Sequence, residues 1–257
     1  MRIAVKVGTS TLTHATGQLN IRRVETLCKT LADLKNAGHE LLLISSGAIG
    51  MGVGKLRLAQ RPQDIATKQA AAAVGQCELM YVYDKLFGVY HHTVAQILVT
   101  AEDIRDEQRA VHVQSTLQRL LELGALPIIN ENDTVATDEI KVGDNDTLSA
   151  VVASSAGADL LVLLSDIDGL YTADPRSCTD AAFISCVTEL TPEIMALGAG
   201  AGTSLGTGGM ATKLSAAQIA TQNGVDMVIA NGSDPRVLYE IVEGKAVGTR
   251  FVAVKEA

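Results

Sequence analysis

The sequence predicts an α/β protein with a mostly parallel central sheet and helices on both faces. Three observations carry that expectation. Short apolar runs alternate with helical patterns along the 257 residues, and several of those runs are apolar on both faces. Aromatics are only 3% and Trp is absent, so Ala, Val, Ile and Leu must build the core. A strand covered on both sides has no solvated face and reads as a run of small aliphatic residues. Helical crossovers are what join such strands in parallel.

The elements follow in order. Residues 2–7 (Arg-Ile-Ala-Val-Lys-Val) form the first strand and residues 40–45 (Glu-Leu-Leu-Leu-Ile-Ser) the second. Between them Val24, Leu27, Cys28, Leu31 and Leu34 recur at helical spacing, and Gly38 follows as a stop. Further strands are expected at 94–99, 126–130, 159–165 and 226–230, with helices around 65–86, 108–123, 147–156 and 212–223. The last two helices end near Gly157 and Gly224, each followed within two residues by an Asp that opens a strand. Residues 133–142 read as a short hairpin or excursion. The stretch 198–209 is so rich in glycine that a long flexible loop is expected. With no fixed-period repeat and no Pro- or Ser-rich linker, 1–257 reads as one domain.

Bulk properties narrow the function. At 47% hydrophobic and 19% charged residues the chain supports a packed core. A formal net charge of −8 argues against a nucleic-acid partner, which needs a broad basic surface, but leaves room for a local phosphate site. Cys28, Cys77, Cys178 and Cys186 form no CxxC pair and no zinc-ligand spacing, so buried free thiols in a reducing compartment are expected. His91 and His92 are adjacent and face different ways on most elements, which disfavours a metal site. Residues 2–7 are too short and interrupted for a signal peptide, and no run approaches the roughly 20 apolar residues of a spanning helix. A cytoplasmic protein with no membrane partner is the expectation.

Two motifs fail on inspection. Gly54-Lys55 resembles the end of a Walker A loop, but Ile49 and Leu56 stand where Gly and Ser/Thr are required. Gly206-Thr-Gly208-Gly-Met-Ala211 matches GxGxxA without a preceding strand or a following acidic ribose ligand.

Five polar or glycine-rich segments sit at the C-terminal ends of predicted strands or open the next helix, where open α/β sheets bind ligands. In Lys6-Val7-Gly8-Thr9-Ser10, a lysine within an apolar strand needs a counter-charge or an anionic ligand, and Gly8 frees amides to approach phosphate. An edge-strand lysine in solvent accounts for the same residues. Ser45-Ser46-Gly47-Ala48-Ile49-Gly50 suits close approach to a small polar ligand, or a plain β-to-α turn. Asn130-Glu131-Asn132-Asp133 could grip an ammonium and a carboxylate, or form an Asx-rich turn. Asp146, in Gly143-Asp-Asn-Asp-Thr147, either caps helix amides or holds site lysines in position. The fifth combines the segment Ser165 to Pro175, with Asp166 and Asp168, and Gly208-Gly209-Met210-Ala211-Thr212-Lys213. Lys213 then lies in the first turn of a helix whose free amides favour anions, although a solvated helix lysine fits the same pattern.

Taken in order, Lys-Val-Gly-Thr-Ser at 6–10, Ser-Ser-Gly-Ala-Ile-Gly at 45–50, Asn-Glu-Asn-Asp at 130–133, Gly-Asp-Asn-Asp-Thr-Leu-Ser-Ala at 143–150, Asp-Ile-Asp-Gly-Leu-Tyr at 166–171 and Gly-Thr-Gly-Gly-Met-Ala-Thr-Lys at 206–213 resemble the amino-acid kinase family over the whole chain. The Asp-Gly-Leu-Tyr segment marks the family broadly. The Lys-Val-Gly-Thr-Ser and Gly-Asp-Asn-Asp segments resemble its glutamate-phosphorylating branch, since aspartate and acetylglutamate kinases usually carry a double glycine after the first lysine.

The resemblance implies an αβα sandwich of the amino-acid kinase fold and ATP-dependent phosphorylation of the glutamate side-chain carboxylate, the first step of proline biosynthesis. It implies ATP and Mg²⁺ as cofactors, feedback inhibition by proline, a homo-oligomer, and the glutamyl phosphate reductase as a further partner. By position, Lys6 and Lys213 would contact the transferring phosphoryl group and Asp146 would orient both. Ser46, Asp133 and Asn145 would bind glutamate, with Gly47 and Asn130 as neighbours. ATP would be held by Lys6, Gly8, Ser165, Asp166, Thr207, Gly208, Gly209, Met210, Ala211, Thr212 and Lys213. The part up to about residue 150 would bind glutamate and the part from 151 to 257 ATP. Many bacterial members carry a C-terminal PUA-type domain, whereas this chain stops at Ala257 just after the kinase region.

A glutamate carboxylate, with a pKa of about 4.3, is already ionised at neutral pH, so no general base is required. Three alternatives carry different expectations. They are another amino-acid kinase such as an acetylglutamate or uridylate kinase, a nicotinamide-dependent oxidoreductase, and an amino-acid sensor that kept the fold but lost turnover.

Overall fold

The computed structural model describes residues 1–14, 18–136, 145–199 and 209–254. In chain order the elements are β1 (Arg2–Val7), α1 (Thr9–Leu12), α2 (Ile21–Asn36), β2 (Glu40–Ser45), α3 (Ala48–Lys55), α4 (Ile65–Gly88), β3 (Val94–Val99), α5 (Ala101–Arg105), α6 (Glu107–Glu122) and β4 (Leu126–Glu131). They continue with α7 (Asn145–Ser155), β5 (Leu160–Ser165), β6 (Leu170–Tyr171), β7 (Phe183–Ile184), β8 (Cys186–Val187), α8 (Pro192–Ala196), a 3₁₀ turn (Leu197–Ala199), α9 (Met210–Gln222), β9 (Asp226–Asn231), α10 (Val237–Val242) and β10 (Thr249–Phe251).

Eight strands form one sheet in the order β3-β4-β2-β1-β5-β9-β10-β8. From β3 to β9 every pairing is parallel; β10 runs antiparallel to β9 and pairs in parallel with β8. β1 lies at the centre, between β2 and β5, so the chain winds outward from it in both directions. In such a sheet a crevice opens at the carboxyl ends of the strands where the winding reverses.

Alternation along β1 sends Ile3, Val5 and Val7 to one face and Ala4 and Lys6 to the other. The first face packs on Leu27 and Leu31 of α2 and on Leu79, Tyr83 and Phe87 of α4. The second packs on Leu148 and Val152 of α7 and on Leu214 and Ala217 of α9. Both cores are almost wholly aliphatic, as the composition requires.

α3 and α4 approach more closely than side chains permit. A Cβ on Gly52 would stand 1.8 Å from the Ala71 carbonyl oxygen, and one on Gly75 would stand 1.8 Å from the Ala48 carbonyl oxygen. Backbone therefore lies on backbone, and α3 is held there despite the poor helix propensity of Gly50, Gly52 and Gly54.

Several expectations are corrected. α7 begins at Asn145, two residues before the expected 147, so Asp146 lies inside the first turn. Residues 133–135 form a turn, and the rest of the expected hairpin, 137–142, falls outside the described residues. So do residues 200–208 of the glycine-rich stretch. Of the four free cysteines only Cys28 is buried; Cys77 and Cys186 are exposed and Cys178 is half-buried. Cys77 sits on the outward side of α4, and Cys186 lies in β8, the outermost strand of the sheet. Among the described residues no helix is long and apolar enough to cross a membrane.

Candidate active site

Lys6 is the last inward residue of β1 on the α7/α9 face, and it is only 6% exposed. Because β1 is the central strand, the solvent reading of this lysine fails. Its Nζ lies 2.5 Å from Asp146 Oδ1, and Lys213 Nζ lies 2.9 Å from Asp146 Oδ2. One carboxylate thus bridges two ammonium groups that are 207 positions apart in the chain. Asp146 occupies the second position of α7, and Lys213 the fourth of α9. Both helices begin at the carboxyl edge of the sheet, so their first turns meet above β1 and β5. Thr212 Oγ1 closes the group at 3.2 Å from Asp146 Oδ2.

Asp146 is fully buried. Burial alone would raise its carboxyl, but the charges of Lys6 and Lys213 outweigh that and hold it at about 2, below the ordinary 3.8. The carboxylate is ionised at any physiological pH and serves as counter-ion to both lysines.

A second group gathers beside the first. Asn145 Nδ2 donates to Ser46 Oγ at 2.7 Å and to Asn130 Oδ1 at 3.0 Å. Asn130, at the end of β4, is buried, and its Oδ1 also accepts the Glu131 amide at 2.9 Å. The Ser46 amide donates to the Val7 carbonyl at 3.1 Å, which ties the end of β2 to the end of β1. Next to it Gly47 has φ +102°, a left-handed conformation that turns the chain from β2 directly into α3. Behind this corner Ser45 Oγ and the Tyr83 hydroxyl lie 2.8 Å apart, and burial pushes the Tyr83 phenol well up, so that contact joins neutral groups.

Further along the edge, Ser165 ends β5 and its Oγ donates to Asp166 Oδ1 at 3.2 Å. Asp168 accepts from Asn231 Nδ2 at 2.7 Å. The segment is anchored by Thr249, whose buried Oγ1 accepts the Leu170 amide at 2.7 Å and donates to the Ile184 carbonyl at 2.5 Å.

The profile of the amino acid kinase family matches residues 1–231. The chain belongs to the amino acid kinase family. A glutamate 5-kinase of Clostridium perfringens is 52% identical to it, covering 99% of this chain and 96% of that protein. A glutamate 5-kinase of Clostridium tetani is 54% identical, covering 98% and 95%. A longer one, from Caldanaerobacter subterraneus, is 51% identical over 99% of this chain and 68% of its own length. Among solved structures, a carbamate kinase from Giardia lamblia bound to AMP-PNP superposes with a TM-score of 0.70 at 16% identity, covering 98% of each chain. The T. acidophilum isopentenyl phosphate kinase product complex gives 0.67 at 15%, covering 98% of this chain and all of that one. At such identity these two speak for the fold alone, which is the amino acid kinase sandwich expected from sequence.

In this amino acid kinase the anticipated residues fall into three neighbouring sets. Lys6, Asp146, Thr212 and Lys213 form the charged cluster, with Gly8 beside it: a Cβ there would stand 3.8 Å from Lys6 Nζ. Ser46, Gly47, Asn130 and Asn145 form the polar corner. Ser165 and Asp166 stand at the end of β5, and Gly209, Met210 and Ala211 open α9. Asp133 lies half-buried in the turn after β4, and Thr207 and Gly208 fall outside the described residues.

Sequence reasoning passed over Gln76, Tyr83 and Thr249, which support these groups from behind. Gln76 stands in an alanine-rich helix with no motif around it. Its one signal is a polar residue on the inward face of α4, four residues before Met80 and seven before Tyr83.

Proposed function

We propose that the chain transfers the γ-phosphoryl group of ATP to the side-chain carboxylate of L-glutamate, giving L-glutamyl 5-phosphate and ADP. The observation that carries this reading is the pair of buried ammonium groups held by one carboxylate at the carboxyl edge of the sheet. A carboxylate nucleophile and a nucleotide tail repel each other, and two fixed cations offset that repulsion and stabilise the charge spread over the phosphoryl oxygens. The bond from the γ-phosphorus to its bridging oxygen breaks as a glutamate oxygen bonds to phosphorus, and ADP leaves with the electron pair. No proton is transferred, which fits a site built of lysines and amides.

The α9 amides add to the cations. α9 starts at Gly209 with no side-chain cap, and the amides of Met210 and Ala211 at this helix start suit phosphate oxygens. Among the described residues no three His, Cys, Asp or Glu side chains cluster as metal ligands. Mg²⁺ therefore fits as an ion carried on the nucleotide phosphates, where it supplies further charge neutralisation.

The Ser46–Asn145 corner suits the amino-acid end of glutamate, with Asp133 as a counter-charge for the ammonium. In this reading the first 150 residues hold the amino acid and the remainder the nucleotide, and Lys6 and Asp146 join them. Proline carries the same α-carboxylate and a secondary ammonium, so we read it as a feedback inhibitor at an overlapping site.

The deciding assay is Mg²⁺–ATP-dependent hydroxamate formation from glutamate and hydroxylamine, with aspartate and N-acetylglutamate as controls. Turnover of glutamate alone is expected; preference for either control overturns the reading. Added proline should raise the apparent glutamate KM.

A further inference from the structure

The amides behind the Ser46–Asn145 corner form a chain with one direction. Asn145 Nδ2 donates to Asn130 Oδ1 at 3.0 Å, Asn130 Nδ2 donates to Gln76 Oε1 at 2.9 Å, and Gln76 Nε2 donates to Gln96 Oε1 at 3.2 Å. The Glu131 backbone amide also donates to Asn130 Oδ1, and a backbone N–H cannot reverse its role. Gln76 completes the arrangement from the other side, because it takes up the Asn130 Nδ2 hydrogens in a region where Asn130 is 2% and Gln76 7% exposed.

This direction fixes what the corner shows a ligand. Asn145 spends its two amide hydrogens on Asn130 Oδ1 and Ser46 Oγ, so the oxygen is what it has left to offer. Among the described residues that oxygen accepts no hydrogen bond. Ser46 Oγ already accepts from Asn145, so its own hydrogen is free to be donated. The corner therefore presents one acceptor beside one donor, the pattern that fits an ammonium beside a carboxylate.

Gln76 is seated by the helix contact already described. Gly75 lies against the Ala48 carbonyl, and Ala48 is the first residue of α3, two after Ser46. The distance from α4 to the Ser46 corner is thus set by backbone contact, and the Gln76 amide arrives at a fixed offset.

We infer that Gln76 is a specificity-determining positioning residue: through Asn130 it holds Asn145 with its oxygen toward the substrate ammonium, and so makes the site choose an α-amino dicarboxylate over a plain dicarboxylate. The inference rests on the proposed reading that Ser46 and Asn145 face glutamate.

The test compares Gln76→Met with Gln76→Glu. Methionine fills the space but accepts nothing useful from Asn130, whereas a glutamate side chain keeps an acceptor there in either protonation state. Gln76→Met is expected to raise the glutamate KM about ten-fold, the penalty of a buried unpaired donor, while kcat and the ATP KM stay within about three-fold. The preference for glutamate over glutarate should shrink by the same factor, and Gln76→Glu should restore it. Glutamate KM and the glutarate ratio unchanged in Gln76→Met would overturn the inference, as would a Gln76→Glu variant no better than Gln76→Met. If Gln76→Met does not fold, Gln96→Leu on the exposed side of edge strand β3 takes its place, with an expected rise of about three-fold and no change as the refuting result. Calorimetry with glutamate alone separates the two levels. A wild-type chain that binds glutamate but forms no hydroxamate sinks the proposed reaction and leaves the positioning role open to the same binding comparison.

Discussion

Replacing Asp146 by Asn removes one negative charge and keeps the shape of the side chain. The carboxylate lies 2.5 Å and 2.9 Å from the two ammonium nitrogens, and each lysine is itself 6% exposed. At an effective dielectric of about 20, each pair contributes about 6 kcal/mol of gross attraction. Most of that offsets the desolvation of three charges, and removing one partner of a buried pair leaves a net loss of about 3–5 kcal/mol. The two ammonium groups, left facing each other, relieve their repulsion when one sheds its proton. Phosphoryl transfer then lacks one of its two cations, a loss comparable to deleting a single oxyanion donor, about 10²–10³ in kcat. The expected result is an unfolding free energy lower by about 3 kcal/mol, a kcat at pH 7 lower by about 100-fold or more, and a glutamate KM within about three-fold of wild type. Residual activity should rise as the pH falls, because protons restore the second ammonium. Denaturant unfolding and the hydroxamate assay measure both quantities. A variant with full kcat, or one whose loss sits in KM alone, refutes the claim that this carboxylate holds two working cations.

Lys6→Ala and Lys213→Ala should each lower kcat far more than they raise the glutamate KM, and steady-state kinetics with the loss in KM alone would contradict that. Gly75→Ala drives a methyl group into the Ala48 carbonyl, so α3 and α4 must part; a loss of about 3 kcal/mol in urea unfolding is expected, with a raised glutamate KM in whatever remains folded. Thr249→Val leaves the Leu170 amide and the Ile184 carbonyl without their partner, which costs about 1–3 kcal/mol and frees the Asp166–Asp168 segment. Its kinetic signature should be a raised ATP KM at constant glutamate KM. The Asp146 carboxyl is held at about 2 against an ordinary 3.8, so its contribution to stability is complete above 3.8 and lost as the pH falls through about 2. Unfolding measured from pH 5 to 2 should show a step in the wild type that is missing from Asp146→Asn.

The six long strands were legible to within one residue at each end because each is a mainly aliphatic run, and all but the edge strand β3 are buried on both faces. Burial on both sides leaves no competing pattern. No helix was expected over α3, where Ser45 to Gly50 suggested a ligand-binding segment or a plain β-to-α turn; it forms despite Gly50, Gly52 and Gly54 because α4 accepts its bare backbone. β8 and β10 span two and three residues, too few for any periodicity to register. At the site, motif order pointed to Lys6, Asp146 and Lys213, but whether Lys6 met solvent or a counter-charge turned on β1 being central. Strand order is set by long-range pairing and leaves no mark on a single strand. Gln76 was invisible for a related reason: its role depends on the α3–α4 separation, and that distance is written in Gly52 and Gly75 only once the two helices are known to touch.

The longer helices differ in how they start. Among the helices of eight residues or more whose cap residue is described, α2, α4 and α6 each start with a side-chain cap, from Asn20, Asp64 and Asp106 respectively. α3 and α9 start at Gly47 and Gly209 with no such cap. At Gly209, where φ is −82°, a serine or aspartate would satisfy the first amides and stabilise the helix by about 1 kcal/mol, whereas at Gly47 the φ of +102° strains any side chain. Such a cap at Gly209 would also place an oxygen where a ligand oxygen has to come. α3 follows directly on Ser46, and α9 carries Lys213, so the two uncapped starts flank the two groups of residues brought together around Asn145 and Asp146. Gly209 therefore leaves the start of α9 uncapped beside Lys213, where a side-chain oxygen would compete with an anionic ligand, whereas at Gly47 the left-handed turn from β2 into α3 itself demands glycine.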